Sequence, residues 1–365
     1  MKMKKNFGII LCLIVFSVSL FAFINQVSDD QVKNLVNTFE NEYKESKKLS
    51  MFMVGDVLIH GALYKDAFVS GDKYDFTEMF SDYEAILSQY DLKYYNQESI
   101  IGGKNLGLST YPRFNSPDEI GLNAISAGFN VVSLANNHSL DKGEQGIRYS
   151  NSFWKKQTDV IVSGTNESLE DQNYIPVYEK NGIKYSFISY TTTTNGLNLP
   201  SGKDYLVNVY SDELAKKQIE SIKDKTDLII VAIHWGTEYS YVPNESQKNI
   251  AQYLSNLGVN LIIGAHPHVV QPITYVNDTL VIYSLGNFLA AQSSLGINKC
   301  IGLTVGVDMV LKDNKIIFEN LNKELSYIYN KNYRDYHIYP FSKLNKNILN
   351  DYESYNEKFM GIVNS

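Results

Sequence analysis

Five of the six histidines in this chain fall in short polar clusters, each placed just after an apolar run. Gly55-Asp56-Val57-Leu58-Ile59-His60 follows the first run, Asn96-Gln97-Glu98-Ser99 the second and Ala135-Asn136-Asn137-His138 the third. His234-Trp235-Gly236 closes the fourth and Gly264-Ala265-His266-Pro267-His268 the fifth, leaving only His337 elsewhere. Neutral imidazoles, carboxylates and amide oxygens suit borderline divalent ions such as Mn²⁺, Fe²⁺ or Zn²⁺. His266 and His268 are alternate residues, and alternate side chains of an extended segment share a face, so both rings reach one ion. Taken singly, each group has a plainer role: Asp56 and Asn136-Asn137 as turn formers, Glu98 as a solvated carboxylate. Their shared position after apolar runs is what points to a joint metal site.

The apolar runs read as strands over Leu49–Val54, Leu92–Tyr95, Asn130–Ala135, Leu228–Ile233, Val259–Gly264 and Leu280–Ser284. Helical patterns alternate with them, which predicts an α/β body. Ser116-Pro117-Asp118-Glu119 has the form of a capping box, with Gly128 as the helix stop. Ser211 caps a helix striped by Leu214, Ala215, Ile219 and Ile222; Asn244, with Gln247 three residues on, caps another that ends at Gly258. Asn181-Gly182 turns a hairpin, and a second hairpin turns near Asp313-Asn314 before a Tyr-rich tail. In open α/β sheets ligands bind beyond the carboxyl ends of strands, so clusters scattered in sequence converge in space.

The 365 residues are 44% apolar and 20% charged, a globular composition. A formal charge of −7, with no basic block beyond the first five residues, speaks against a nucleic-acid partner. Cys12 and Cys300 are the only cysteines, and Cys12 lies inside the N-terminal apolar run, which leaves no disulfide framework. Lys2, Lys4 and Lys5 precede that run, Phe7–Ile24. At helical rise it spans roughly 27 Å, enough for a thin hydrocarbon core, with the basic end inside and the rest exported. A cleaved signal peptide is the alternative, but Leu20-Phe21-Ala22 is a poor cleavage site. The expected organisation is an anchor over 1–25, a polar stalk over 26–48, the body over 49–290 and a C-terminal hairpin with a Tyr-rich extension over 291–365. The body is then extracellular on a single-pass membrane helix.

Several of these motifs, among them Gly55-Asp56, the run from Ala127 to Asp141, His234-Trp235-Gly236-Thr237-Glu238-Tyr239, Gly264 to Pro272 and Tyr283 to Phe288, resemble the CapA family of capsule synthesis proteins. That family is linked to poly-γ-glutamate, and its domain is similar to calcineurin-like metallophosphoesterases. The resemblance implies a β-sandwich flanked by helices, with one or two divalent metals at one end. It implies Asp56, Glu98, Asn137, His234, His266 and His268 as ligands and His138 as the catalytic residue, either general acid or transition-state stabiliser. His60 departs from the family's Asp-x-His spacing; four extended residues carry it about 13 Å from Asp56. His60, Asn96, Glu238, Tyr239 and Asn287 are expected on the substrate side or behind the ligands. Expected partners are the membrane, an anionic envelope polymer or a phosphoester substrate, and capsule synthase subunits. Three functions stay open: a metal-dependent hydrolase or transferase of capsule assembly, a non-catalytic polymer- or synthase-binding protein with a vestigial site, and an envelope phosphodiesterase.

Overall fold

In the computed structural model, which describes residues 28, 30–34, 36 and 47–365, the first apolar run is a twelve-residue strand, β1 (Lys47–Leu58). The expected anchor and most of the stalk lie outside the described residues; residues 30–34 and 36 are helical, and Gln31 N–H donates to Ser28 Oγ at 3.3 Å. Among the described residues no helix is long and apolar enough to cross a membrane.

From β1 the chain runs through α1 (Gly61–Ala67), a hairpin of β2 (Phe68–Ser70) and β3 (Lys73–Tyr74), and two short helices, α2 (Thr77–Phe80) and α3 (Glu84–Leu87), to β4 (Leu92–Gln97). Then follow α4 (Asp118–Ala127), β5 (Val131–Ser133), α5 (Gly143–Lys155), β6 (Ile161–Ser163), α6 (Leu169–Asn173), β7 (Tyr178–Lys180) and β8 (Ile183–Thr191). Next come α7 (Asp212–Ile222), β9 (Leu228–His234), α8 (Glu245–Leu257), β10 (Leu261–Ala265), β11 (Ile273–Val276), β12 (Thr279–Ile282) and β13 (Asn287–Ala290). The chain closes with β14 (Ile301–Lys312), β15 (Lys315–Lys331), β16 (Arg334–Pro340) and α9 (Tyr352–Val363).

Two sheets result. One is ordered β16-β15-β14-β1-β4-β5-β6 with β13 also against β1; the other is ordered β11-β12-β10-β9-β8-β7. Strand alternation explains how they stack. Leu49, Met51 and Met53 of β1 and Leu92 and Tyr94 of β4 share one buried cluster with Leu228, Ile230 and Ala232 of β9 and Leu261 and Ile263 of β10. The opposite faces are covered by helices: Phe52 and Val54 pack with Phe80, Ile120 and Ala124, while Ile229, Val231 and Ile233 pack with Ile219, Ala251 and Leu254. The fold is a mixed α/β sandwich of two sheets flanked by helices. Each fully buried Leu or Ile contributes about 1.5–3 kcal/mol to that stacking. The C-terminal segment is part of it, since β14 pairs with β1 from Lys47↔Leu311 to Met53↔Val305.

Both hairpin turns form with left-handed residues, as two-residue loops require: Asn181 and Gly182 at φ 54° and 76°, Asp313 and Asn314 at 50° and 60°. Ser211 caps α7, and Asn244 with Gln247 completes the capping box of α8. The box at Ser116 does not form. Pro117 occupies the N-cap of α4 without a side-chain cap, because Ser116 Oγ is drawn inward to donate to Ser99 Oγ at 2.7 Å. Glu119 is likewise taken by Lys104 at 2.8 Å.

Candidate metal centre

Alternation decides which side chains reach the gap between the sheets. On β9 the inward residues 228, 230 and 232 lead to His234, and on β4 the inward residues 92 and 94 lead to Asn96. β1 breaks the pattern, because Asp56 has the parity of the outward Phe52 and Val54. A register irregularity between Met53 and Asp56 re-aims it, the usual use of a bulge beside a functional site. Gly55 permits this. A Cβ there would lie 1.8 Å from the Gly286 carbonyl oxygen, the same oxygen that accepts the Asp56 N–H at 2.9 Å. Gly55→Ala is therefore expected to cost about 1–3 kcal/mol, the usual penalty of overpacking, read as a lower denaturation midpoint. A midpoint equal to the parent's would mean that the close approach is not required.

His266 and His268 follow β10 in left-handed backbone, at φ 98° and 58°, and Tyr239 beside them sits at 65°. Non-glycine residues in such conformations cost on the order of 1–3 kcal/mol each and persist where the surroundings dictate them. The two rings thus do not share one extended face, as alternate spacing suggested. His266 Nδ1 meets His234 Nε2 at 3.0 Å, whereas the His268 ring, 6.2 Å away by centroid, turns to the carboxylates.

Asp56, Glu98 and His268 are buried and each offers a ligand atom within 4.8 Å of the other two. His268 Nδ1 lies 3.4 Å from Asp56 Oδ2 and its Nε2 3.7 Å from Glu98 Oε1, which is also 3.7 Å from His234 Nε2. His266 joins through its backbone N–H, which donates to Asp56 Oδ2 at 3.3 Å. Asn96 and Asn287 stand behind these groups. Asn96 Nδ2 donates to Asp56 Oδ1 at 2.8 Å, and Asn287 Oδ1 lies 3.0 Å from His268 Nδ1. Since Asn287 Nδ2 donates to Gln292 Oε1 and Lys299 O, its oxygen is the acceptor, which puts the His268 proton on Nδ1 and leaves Nε2 toward Glu98.

The donor set fits a divalent cation. Both Glu98 oxygens and Asn137 Oδ1 are buried and find no hydrogen-bond partner among the described residues. Such atoms cost free energy unless something pairs with them, and three unpartnered acceptors beside three imidazoles call for a cation. Burial pushes the Glu98 carboxyl well above its ordinary range and His234 well below its own; it also pushes His266 down to about 4. His268 moves up to about 9: burial opposes its charge, but the Glu98 and Asp56 carboxylates outweigh that. His234 and His266 are thus neutral, the form a metal requires.

Asn137 and His138 reach the same region on the loop after β5. Asn136 pins that loop: its Nδ2 donates to Gln97 O and its Oδ1 accepts the His138 N–H. His138 Nδ1 lies 2.7 Å from Asp141 Oδ2, an oxygen that also accepts the Phe114 N–H at 2.6 Å. His138, Asn137, His268, Glu238, Tyr239 and His60 line one cavity of about 730 Å³. His60 stands apart from the ligand cluster. Its Nδ1 lies 3.0 Å from Leu58 O, its ring meets Phe114 edge-on, and burial pushes it down to about 4. Glu238 and Tyr239 are exposed on the cavity wall. Asp141 is a site residue outside the sequence expectation, although its spacing of three from His138 is the signal for such a pair. Asn195, whose Oδ1 accepts from Asn137 Nδ2 at 3.2 Å, carries no sequence signal.

The class defined by this geometry is a two-sheet α/β sandwich whose parallel strand ends gather carboxylates and imidazoles around a cavity. Residues 50–292 match the family described as bacterial capsule synthesis protein PGA_cap, and the chain belongs to that family. It is 35% identical over 167 residues to the PGA biosynthesis protein CapA of Bacillus subtilis, covering 45% of this chain and 43% of that protein. It is 28% identical over 265 residues to the capsule biosynthesis protein CapA of Bacillus anthracis, covering 69% of this chain and 62% of that protein. The chain thus spans less than two thirds of either relative. Among solved structures, the calcineurin-like phosphoesterase YfkN from Bacillus subtilis is 15% identical with a TM-score of 0.47, over 77% of this chain and 91% of that one.

Proposed function

We propose that this protein is a membrane-anchored, metal-dependent hydrolase or transferase of the metallophosphoesterase type, acting outside the cell in assembly of a poly-γ-glutamate capsule. The observation that carries this reading is the Glu98 carboxylate, whose two oxygens have no hydrogen-bond partner among the described residues, buried between His234 and His268, the latter a residue of the cavity lining. A purely structural centre has no reason to keep a buried carboxylate without a hydrogen-bond partner. Asp56, Glu98 and His268, with His234, His266 and Asn137 around them, would hold one or two divalent ions, with Mn, Fe or Zn suited to the donors. Such an ion supplies Lewis-acid polarisation and acidified water.

The chain's own residues then have defined tasks. Asn96 and Asn287 fix the orientation of Asp56 and His268. Asp141 holds the Nδ1 side of His138, leaving Nε2 free to pass a proton to a leaving group, an amide nitrogen or an ester oxygen. Asn136 keeps that ring in place from behind.

The test is made in the host, with full-length Asp56→Ala at the native locus. Equal membrane levels of the variant and loss or altered length of the cell-bound γ-glutamyl polymer are expected. Unchanged polymer with the variant present would remove metal-dependent catalysis and leave the scaffold function. Protease shaving of the body from intact cells tests its placement.

A further inference from the structure

Only three of the chain's 33 basic residues are arginine: Arg113, Arg148 and Arg334. Two have structural partners. Arg148 pairs with Glu144 at 2.6 Å, and Arg334 Nη1 donates to the Lys65 carbonyl at 2.6 Å. Arg113 is exposed and lines the cavity, and among the described residues its guanidinium makes no ion pair or hydrogen bond. It is also the one Lys or Arg on that lining. Carboxylates are not lacking there. Asp141 is occupied by His138 and the Phe114 N–H, and Glu238 lies on the same lining, yet Arg113 pairs with neither.

The backbone beneath Arg113 is fixed to the reacting groups. Ser109 and Asn115 pair as a closed bridge, with N–H···O distances of 3.1 and 2.9 Å, and Ser109 Oγ donates to Arg113 O. Buried Asn115 ties the base of the loop, its Nδ2 donating to Gly103 O and Gly107 O and its Oδ1 accepting from Gly102 N–H. The next residue, Phe114, donates its N–H to the carboxylate that holds His138. A guanidinium is a planar fork suited to two-point binding of carboxylate or phosphate, unlike the point charge of lysine, which this chain uses almost everywhere else.

We propose that Arg113 anchors an oxyanion of the substrate, placing it beside the bond that His138 serves. Under the function proposed above, which supplies the cavity's role, that oxyanion is the free carboxylate of a γ-glutamyl unit; a phosphoryl oxygen has the same chemistry.

Binding is measured with the full-length, Mn²⁺-loaded protein in detergent. The probes are a short γ-glutamyl oligomer, the same oligomer with its carboxylates blocked as methyl esters, and a simple phosphodiester. Arg113→Ala is expected to weaken binding of the free-acid oligomer about 10–100-fold, the worth of a charge-assisted pair. Arg113→Lys should lose less, and the blocked oligomer should bind parent and variant equally. Arg113-dependent binding of the phosphodiester alone would keep the anchor and remove the γ-glutamyl function. Equal affinity of parent and Arg113→Ala for both charged probes, or no binding of either by the parent, overturns the anchor. The first of those outcomes leaves the metal centre intact.

Discussion

Replacing His138 with Asn is expected to lower turnover about 10²–10⁴-fold, the usual contribution of a positioned proton donor, while metal content and melting temperature stay near the parent's. His138 is set apart from the ligand atoms: Asp56, Glu98 and His268 close on one another without it, and its Nδ1 is engaged by Asp141. Asn keeps a donor able to reach Asp141 but has no second ring nitrogen to carry a proton to a leaving group. Asp141→Asn is the informative companion. It keeps an acceptor for the Phe114 N–H, yet it removes the carboxylate that orients the ring and stabilises the imidazolium. Steady-state rates on a γ-glutamyl oligomer and on a simple phosphodiester, paired with elemental analysis, provide the check. A His138→Asn protein with parental turnover would place the chemistry elsewhere. One that loses metal in step with activity would make His138 a ligand.

The sequence made the members of the centre visible because strand ends concentrate polar residues that the core cannot hold. The inward parity of 228, 230 and 232 continues directly to His234, and that of 92 and 94 to Asn96. What alternation could not supply were the departures from it. Asp56 turns inward only through the irregularity beside Gly55, and His266 and His268 separate because their backbone is left-handed rather than extended. Both depend on contacts with Gly286 and with the facing sheet, which no local pattern encodes. The hairpin turns and the caps at Ser211 and Asn244 were legible because their chemistry is local. Ser116 misled for the opposite reason: its hydroxyl prefers Ser99, a tertiary partner 17 residues away. The strands β6, β11 and β13 are only three or four residues long, too short to show a period, and pairing rather than periodicity makes them strands.

Glu98→Gln is expected to abolish most of the metal's effect on stability, and the parent's dependence of that effect on pH shows why. In the metal-free protein, burial and the Asp56 charge hold the Glu98 carboxyl well above its usual range, although the nearby His268 opposes this. His268 is itself raised to about 9 against the cost of burial by the same two carboxylates. Both groups bind protons more tightly folded than unfolded, so the stability they contribute is present at low pH and is lost as pH rises through the folded values. Between pH 7 and 9, His234 and His266 carry no proton when folded, because burial lowers them, and little charge when unfolded. The metal-free parent therefore loses stability across that window. A divalent ion reverses the sign, since it needs the deprotonated ligands that rising pH supplies. At a free concentration of 100 times its dissociation constant, an ion adds about 2.7 kcal/mol. The increment in melting temperature on adding Mn²⁺ or Zn²⁺ should accordingly grow from pH 7 to pH 9 in the parent. Gln at 98 offers one neutral oxygen in place of two charged ones, so the increment should be small and nearly flat with pH. Without metal the variant should match or exceed the parent's stability, because a buried unpartnered carboxylate has been replaced by a neutral amide. A parent whose melting temperature ignores every divalent ion at pH 9 would show that Glu98 is kept for something other than a cation.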